Sequence, residues 1–92
     1  MFADNASYHS SSVGEFVGRV AIASMMNGFF AQYPDVYWET DNYRCDKDQN
    51  VLFDFKMSAT HTETVEKIHR QGIEVISFTN NGLILRLDVK GI

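Results

Sequence analysis

Two side chains are of a type and in a setting to exchange protons. His61 ends an alternating run in which Val51, Phe53, Phe55, Met57, Ala59 and His61 share one side, so its imidazole is directed toward an apolar surface. Apolar surroundings disfavour the charged imidazole, which makes it a neutral base or hydrogen-bond partner near pH 7. A strand-end histidine bonded to a backbone carbonyl fits the same position, and periodicity leaves both readings open. Glu74 shares a face with Ile76 and Phe78 and has Ile73 and Val75 beside it. Desolvation there would raise its pKa and suit it as a general acid. A glutamate on an edge strand also discourages edge pairing, and Arg86 on the facing strand could neutralise it.

Other polar groups are weaker candidates. Tyr8 with His9, and Glu39 with Asp41, fit an ordinary solvated strand, while His69 beside Lys67 and Arg70 suggests an outward, charged face. None of the three histidines has a metal-ligand spacing with a Cys or carboxylate, and the chain has neither a glycine-rich phosphate loop nor a nucleophile elbow. No metal and no cofactor are expected.

These residues belong to one domain. A chain of 92 residues supports a single hydrophobic core, and its 45% apolar composition is that of a globular protein. The net charge of −4, with both signs interspersed, supplies no basic stripe for nucleic acid and no polybasic membrane patch. The single Cys45 cannot close an internal disulfide, no apolar run reaches membrane-spanning length, and the first residues do not resemble a signal peptide. A soluble, cytoplasmic protein is expected.

Periodicity predicts the elements. Ile22, Met25, Met26, Phe29 and Phe30 lie on one face of a helix over residues 19–32, opened at Gly18 and stopped by Pro34. Strands are expected at 6–9, 36–45, 51–61, 64–79 with a bulge or bend at Gly72, and 83–89 after a primed Asn81-Gly82 turn. In the strand at 36–45, Tyr37, Glu39, Asp41, Tyr43 and Cys45 are expected on one side. Short connections imply an antiparallel sheet, and one helix covers only part of it. Both faces of residues 73–78 are apolar-rich, so a second copy packing sheet to sheet, as a homodimer, is the expected cover.

In order and spacing, several segments resemble the nuclear transport factor 2-like superfamily, in its SnoaL-like polyketide cyclase branch. They are Phe2-Ala3-Asp4-Asn5-Ala6, Gly18-Arg19-Val20-Ala21-Ile22, Phe29-Phe30 through Tyr33-Pro34-Asp35-Val36, Met57-Ser58-Ala59-Thr60-His61-Thr62, and Gly72-Ile73-Glu74-Val75-Ile76 through Asn81-Gly82-Leu83-Ile84. The resemblance implies an α+β fold of cystatin-like architecture, with a curved antiparallel sheet (a cone or half-barrel) packed on one main helix. It implies a single domain over 1–92 without the two N-terminal helices usual in the family, leaving the pocket open or plugged by a neighbour. A small hydrophobic ligand would sit against Phe29, Trp38, Phe53, Phe55 and Met57. The cyclase histidine and acid fall on His61 and Glu74, a glutamate replacing the usual aspartate, and the steroid isomerase aspartate falls near Ser10. Two functions follow as expectations: cofactor-independent acid–base catalysis by His61 and Glu74, or a non-catalytic module that binds a ligand or itself.

Overall fold

The period changes from 3.6 to two at Pro34, and the structure changes there from helix to meander. The computed structural model describes residues 2–91. Its elements are β1 (Phe2–Ser10), β2 (Gly14–Val17), α1 (Arg19–Gln32), β3 (Tyr37–Cys45), β4 (Val51–Thr60), β5 (Lys67–Phe78) and β6 (Ile84–Gly91). The predicted helix matches α1 at both ends. Gly18 enters it at φ 95°, a conformation that suits glycine, and its carbonyl accepts the Ile22 N–H at 3.1 Å. At the other end the Tyr33 N–H still reaches the Phe29 carbonyl at 2.9 Å before Pro34 ends the ladder.

Two apolar clusters anchor this helix to one face of the sheet. Near its start, Ile22 is 1% exposed against Ala3 and Ala6 of β1, with Met25 and Met26 alongside. The two alanines allow helix and strand to approach closely. Near its end, Phe29 and Tyr33 pack on Phe53, Phe55, Met57 and Ala59, the inward-facing row of β4. α1 therefore crosses from β1 toward β4 and leaves space between the two contacts.

The sheet is open, with strand order β2-β1-β6-β5-β4-β3. The expected antiparallel sheet is in fact mixed, because β1 runs parallel to β6 while every other neighbouring pair is antiparallel. Short hairpins fix the direction of successive strands, but β1 and β6 are separated by all the other elements, so no turn dictates theirs.

Local departures from the sequence reading each have a cause. β1 extends beyond residues 6–9 because an irregularity between Phe2 and Ser7 breaks its alternation, and β2 was not expected at all. β5 begins at Lys67 because Thr64 to Glu66 form the connection, with Val65 at φ 59°. An extra residue in β3 between Asp41 and Arg44, with Asn42 at φ 58°, switches the faces of the strand. Cys45 then pairs with Val51 on the inner face while Tyr37, Glu39 and Asp41 face outward, so these residues do not share one side. The β5–β6 turn is not primed, since neither Asn80 nor Asn81 has positive φ. Gly82 (φ 82°) gives its N–H to the Thr79 carbonyl at 3.0 Å, and the Thr79 N–H meets the Leu83 carbonyl at 2.8 Å.

Gly72 sits in an unbroken ladder, paired to Phe55 and Gly91, and makes no bulge. Its small size has another reason. A Cβ there would overlap the Lys90 carbonyl oxygen and crowd the Gly91 Cα.

Candidate functional site

The inner face of the sheet can be read row by row from its registers. Glu74 on β5 lies between Phe53 on β4 and Val89 on β6, and Val89 is paired in turn with Ser10 on β1. Tyr8 stands two residues before Ser10 on the same side, its ring centroid 6.3 Å from that of Phe16. Arg70 lies four residues before Glu74, opposite Met57, and only Gly72 stands between them on this face. Met25, Met26 and Phe29 of α1 form the roof, and Trp38 of β3 stands 6.2 Å from the Phe29 ring. Together these surfaces border a half-open cavity of about 800 Å³, whose inner-face lining includes Tyr8, Ser10, Met25, Met26, Phe29, Trp38, Phe55, Met57, Arg70, Glu74 and Val89. That size is of the order of small-molecule sites.

The polar groups on its inner face stand in different environments. Among the described residues the Glu74 side chain has no hydrogen bond or ion pair, and burial pushes its carboxyl pKa above the ordinary value. The Tyr8 phenol is also pushed up, first by burial and then by the Glu74 charge, against smaller opposing effects from the Ser10 hydroxyl and Arg70. Tyr8 therefore keeps its proton at neutral pH and serves as a donor. Ser10 is 3% exposed, and its Oγ accepts the Ser12 N–H at 3.2 Å and lies 3.1 Å from the Ser12 hydroxyl. Arg70 is partly buried and forms no ion pair among the described residues, whereas Arg19, Arg44 and Arg86 each hold a carboxylate.

His61 stands elsewhere. It follows the end of β4, its ring meets Tyr33 edge-on at 5.2 Å, and its Nδ1 accepts the N–H groups of Glu63 at 3.2 Å and Thr64 at 3.4 Å. It shapes the β4–β5 connection and is not part of the cavity wall. Eight residues separate it from Phe53, the partner of Glu74, or roughly 26 Å along a strand. The structure therefore does not bring His61 and Glu74 to one ligand. Phe29, Trp38, Phe55 and Met57 line the cavity, while Phe53 is buried beside Tyr43, with ring centroids 5.1 Å apart, and does not. Nor does Arg86 neutralise Glu74. It pairs with Ser77, and its guanidinium donates to Asp88 at 2.9 and 3.0 Å and to Ser7 at 2.9 Å.

Among the polar wall residues, Tyr8 is read from sequence as part of a solvated strand and Arg70 is not singled out there. Strand parity carried a signal for both: Tyr8 alternates with Ala6 and Ser10, and Arg70 with Gly72 and Glu74, opposite in phase to the outward His69. Among the described residues no group of His, Cys, Asp and Glu could hold a metal ion, and no helix is long and apolar enough to cross a membrane.

Comparison with known proteins gives the fold a family. The family model for the SnoaL-like domain matches residues 1–87. A nuclear transport factor 2 (NTF2)-like protein of unknown function from Exiguobacterium sp. 255-15 superposes with a TM-score of 0.87 at 13% identity, covering 99% of this chain and 76% of that one. A structure from Jannaschia sp. CCS1, named for SnoaL-like polyketide cyclases, gives 0.80 at 10% identity over 95% of this chain and 64% of that one. Another from Bacillus subtilis, named as an isomerase, gives 0.82 at 19% identity over 99% and 69%. At such identities the likeness is one of fold. A search of curated proteins returned no match. Its fold is that of NTF2-like proteins, and with residues 1–87 matched by the family model the chain belongs to the SnoaL-like domain family.

Proposed function

We propose that this domain binds a small, mainly apolar carbonyl compound in the cavity and performs cofactor-independent acid–base chemistry on it through Glu74 and Tyr8. The observation that carries the reading is that the Glu74 carboxyl, without a hydrogen bond or ion pair among the described residues, lines the same cavity as the Tyr8 phenol, and burial raises the pKa of both. In its ionised form Glu74 removes a proton from the carbon next to the carbonyl. Tyr8 donates a hydrogen bond to the oxygen on which the negative charge collects. Glu74 then returns the proton, either to a different carbon of the enolate or to the new alkoxide after ring closure. A raised pKa brings the carboxyl closer to the operating pH, where a group that both takes and gives a proton is most effective. The SnoaL-like polyketide cyclase name borne by a structural neighbour agrees with this chemistry.

The test is exchange of α-protons for deuterium in a bicyclic ketone such as 2-tetralone, followed by NMR. Glu74→Gln is expected to lower the catalysed rate by about 10²–10⁴-fold, and Tyr8→Phe by roughly 10²-fold or more. Binding is followed in parallel through the fluorescence of Trp38, the chain's one tryptophan, which stands in the cavity wall. Binding with exchange no faster than in buffer would sink the catalytic reading and leave a ligand-binding module.

Self-association is a second reading, favoured by the outer face of the sheet. There the register brings Leu52 and Val75 together, with Ile73 next along β5 and Asp54, Lys56, Asp88 and Lys90 around them. A homodimer through this face would leave the cavity free, and light scattering at micromolar concentration would read its mass. The exposed free thiol of Cys45 fits a cytoplasmic setting.

A further inference from the structure

Arg70 places a permanent positive charge on the inner face of the cavity wall, whereas Lys56, the other cation lining it, sits on the outward row paired with Glu39 and Gln71. Arg70 projects on the same face as Glu74 and Met57, and it forms no ion pair or side-chain hydrogen bond among the described residues. The other positions of this face on its own strand are apolar or lack a side chain: Ile68, Gly72 and Ile76, with Glu74 the exception. An arginine held against such a wall without an acidic partner has lost part of its hydration and received nothing in exchange from the protein. Glu74 does not supply that partner. It stands four residues away, about 13 Å along the strand, and Gly72 leaves the floor between them bare.

We infer that the ligand of this cavity carries a carboxylate, which Arg70 binds at the end of the site away from Glu74. The guanidinium offers two parallel N–H groups that match the two oxygens of a carboxylate. The apolar body of the ligand then lies over Gly72 against Phe55 and Met57. Glu74 repels a second negative charge, so the opposite end of the ligand is neutral, as an enolisable carbonyl is. Tyr8, in the register row of Leu87 and Ile76, stands at the Glu74 end, and its phenol feels both charges. The ligand class is thus an apolar keto acid held by its acid group and worked on at its ketone.

This inference rests on the reading of the cavity as a ligand site, and the experiment separates the two. Calorimetric titration compares naphthalene-2-carboxylate with its uncharged isostere naphthalene-2-carboxamide, using the parent chain, Arg70→Met, Arg70→Lys and Glu74→Gln. The parent is expected to prefer the carboxylate by about tenfold or more, the scale of a charge-assisted hydrogen bond. Arg70→Met should abolish the preference while leaving carboxamide binding unchanged, which also shows that the variant is folded. Arg70→Lys should retain only part of the preference because it lacks the planar fork, and Glu74→Gln should retain all of it. Equal binding of the two compounds by the parent, or a preference that survives Arg70→Met, overturns the role of Arg70 and leaves the cavity reading standing. Failure of both compounds to bind the parent overturns both.

Discussion

Two glycines separate backbone crowding from backbone freedom, and Gly72→Ala compared with Gly28→Ala should move stability in opposite directions. Gly28 lies inside α1, and a Cβ there would meet nothing within 4 Å. Alanine at an open interior helix position is favoured over glycine by about 0.5–1 kcal/mol. At Gly72 the same methyl would overlap the Lys90 carbonyl oxygen, which is fixed by the β5–β6 ladder. The unfolded chain still gains about 0.4–1 kcal/mol from losing a glycine, but overpacking costs typically 1–3 kcal/mol and a displaced ladder costs more. The two variants should therefore differ by roughly 2–3 kcal/mol, or on the order of 10–20 °C in melting temperature for a domain this small. Circular dichroism melts and urea titrations of the three proteins make the measurement. If Gly72→Ala melts at or above the parent temperature, steric exclusion is the wrong account of that glycine. The substitution would also separate β6 from β5 next to Arg70 and Glu74, so carboxylate binding should weaken along with stability.

Glu74→Gln should stabilise the fold increasingly as pH rises. The folded carboxyl holds its proton above the ordinary value of 4.5 that applies to the unfolded chain, so the parent loses stability from there up to the raised folded pKa and is level beyond it. Urea midpoints at pH 4 and pH 8 give the sign, and a pH-independent gap would contradict desolvation of this group. Asp88→Ala removes both acceptors of the Arg86 fork and should cost about 1 kcal/mol, the usual strength of a charged hydrogen bond reduced for an arginine that is partly in solvent. A loss several times larger would mean that the cluster is structural to the β1–β6 junction. Asn42→Val places a branched side chain at φ 58° and removes the hydrogen bond that the Asn42 Nδ2 donates to the Asp54 carboxylate, so it should cost about 1–2 kcal/mol in urea denaturation, whereas Asn42→Gly should cost less.

Legibility of the fold followed regularity of pattern. α1 could be read to the residue because its apolar spacing, the glycine before it and the proline after it all agree. β4 was equally clear, alternating without interruption from Val51 to Thr60. β2 gave no signal, since four residues held between the serine turn and Gly18 are too few to establish a period. Single-residue events defeated parity elsewhere. One inserted residue near Asn42 turned Tyr43 and Cys45 to the inner face, and no local composition announces such a bulge. The site was half legible for the same reason. Glu74 was found because its neighbours are apolar, but His61 was paired with it through the family resemblance and through an alternation carried one residue past the end of β4. In the structure the chain has already turned, and the imidazole is occupied by two backbone donors. Arg70 was masked by the charged neighbours that surround it in sequence and face the other way in space.

The parallel pairing of β1 with β6 joins the first strand of the chain to the last. Everything from β1 through α1 forms one block, everything from β3 through β6 another, and their ladder contact is that single pair. Joining residues so distant in sequence is slow, because a long loop must close before any contact rewards it. The meander can form from local hairpins, and the first block can close its own cluster of Ala3, Ala6 and Ile22, before the two meet. The cavity straddles this junction, with Tyr8, Met25, Met26 and Phe29 from one block and Trp38, Phe55, Met57, Arg70 and Glu74 from the other. An occupant therefore bridges the junction of the two blocks, and the amides along β1 and β6 are where native-state hydrogen exchange should slow most when the site fills.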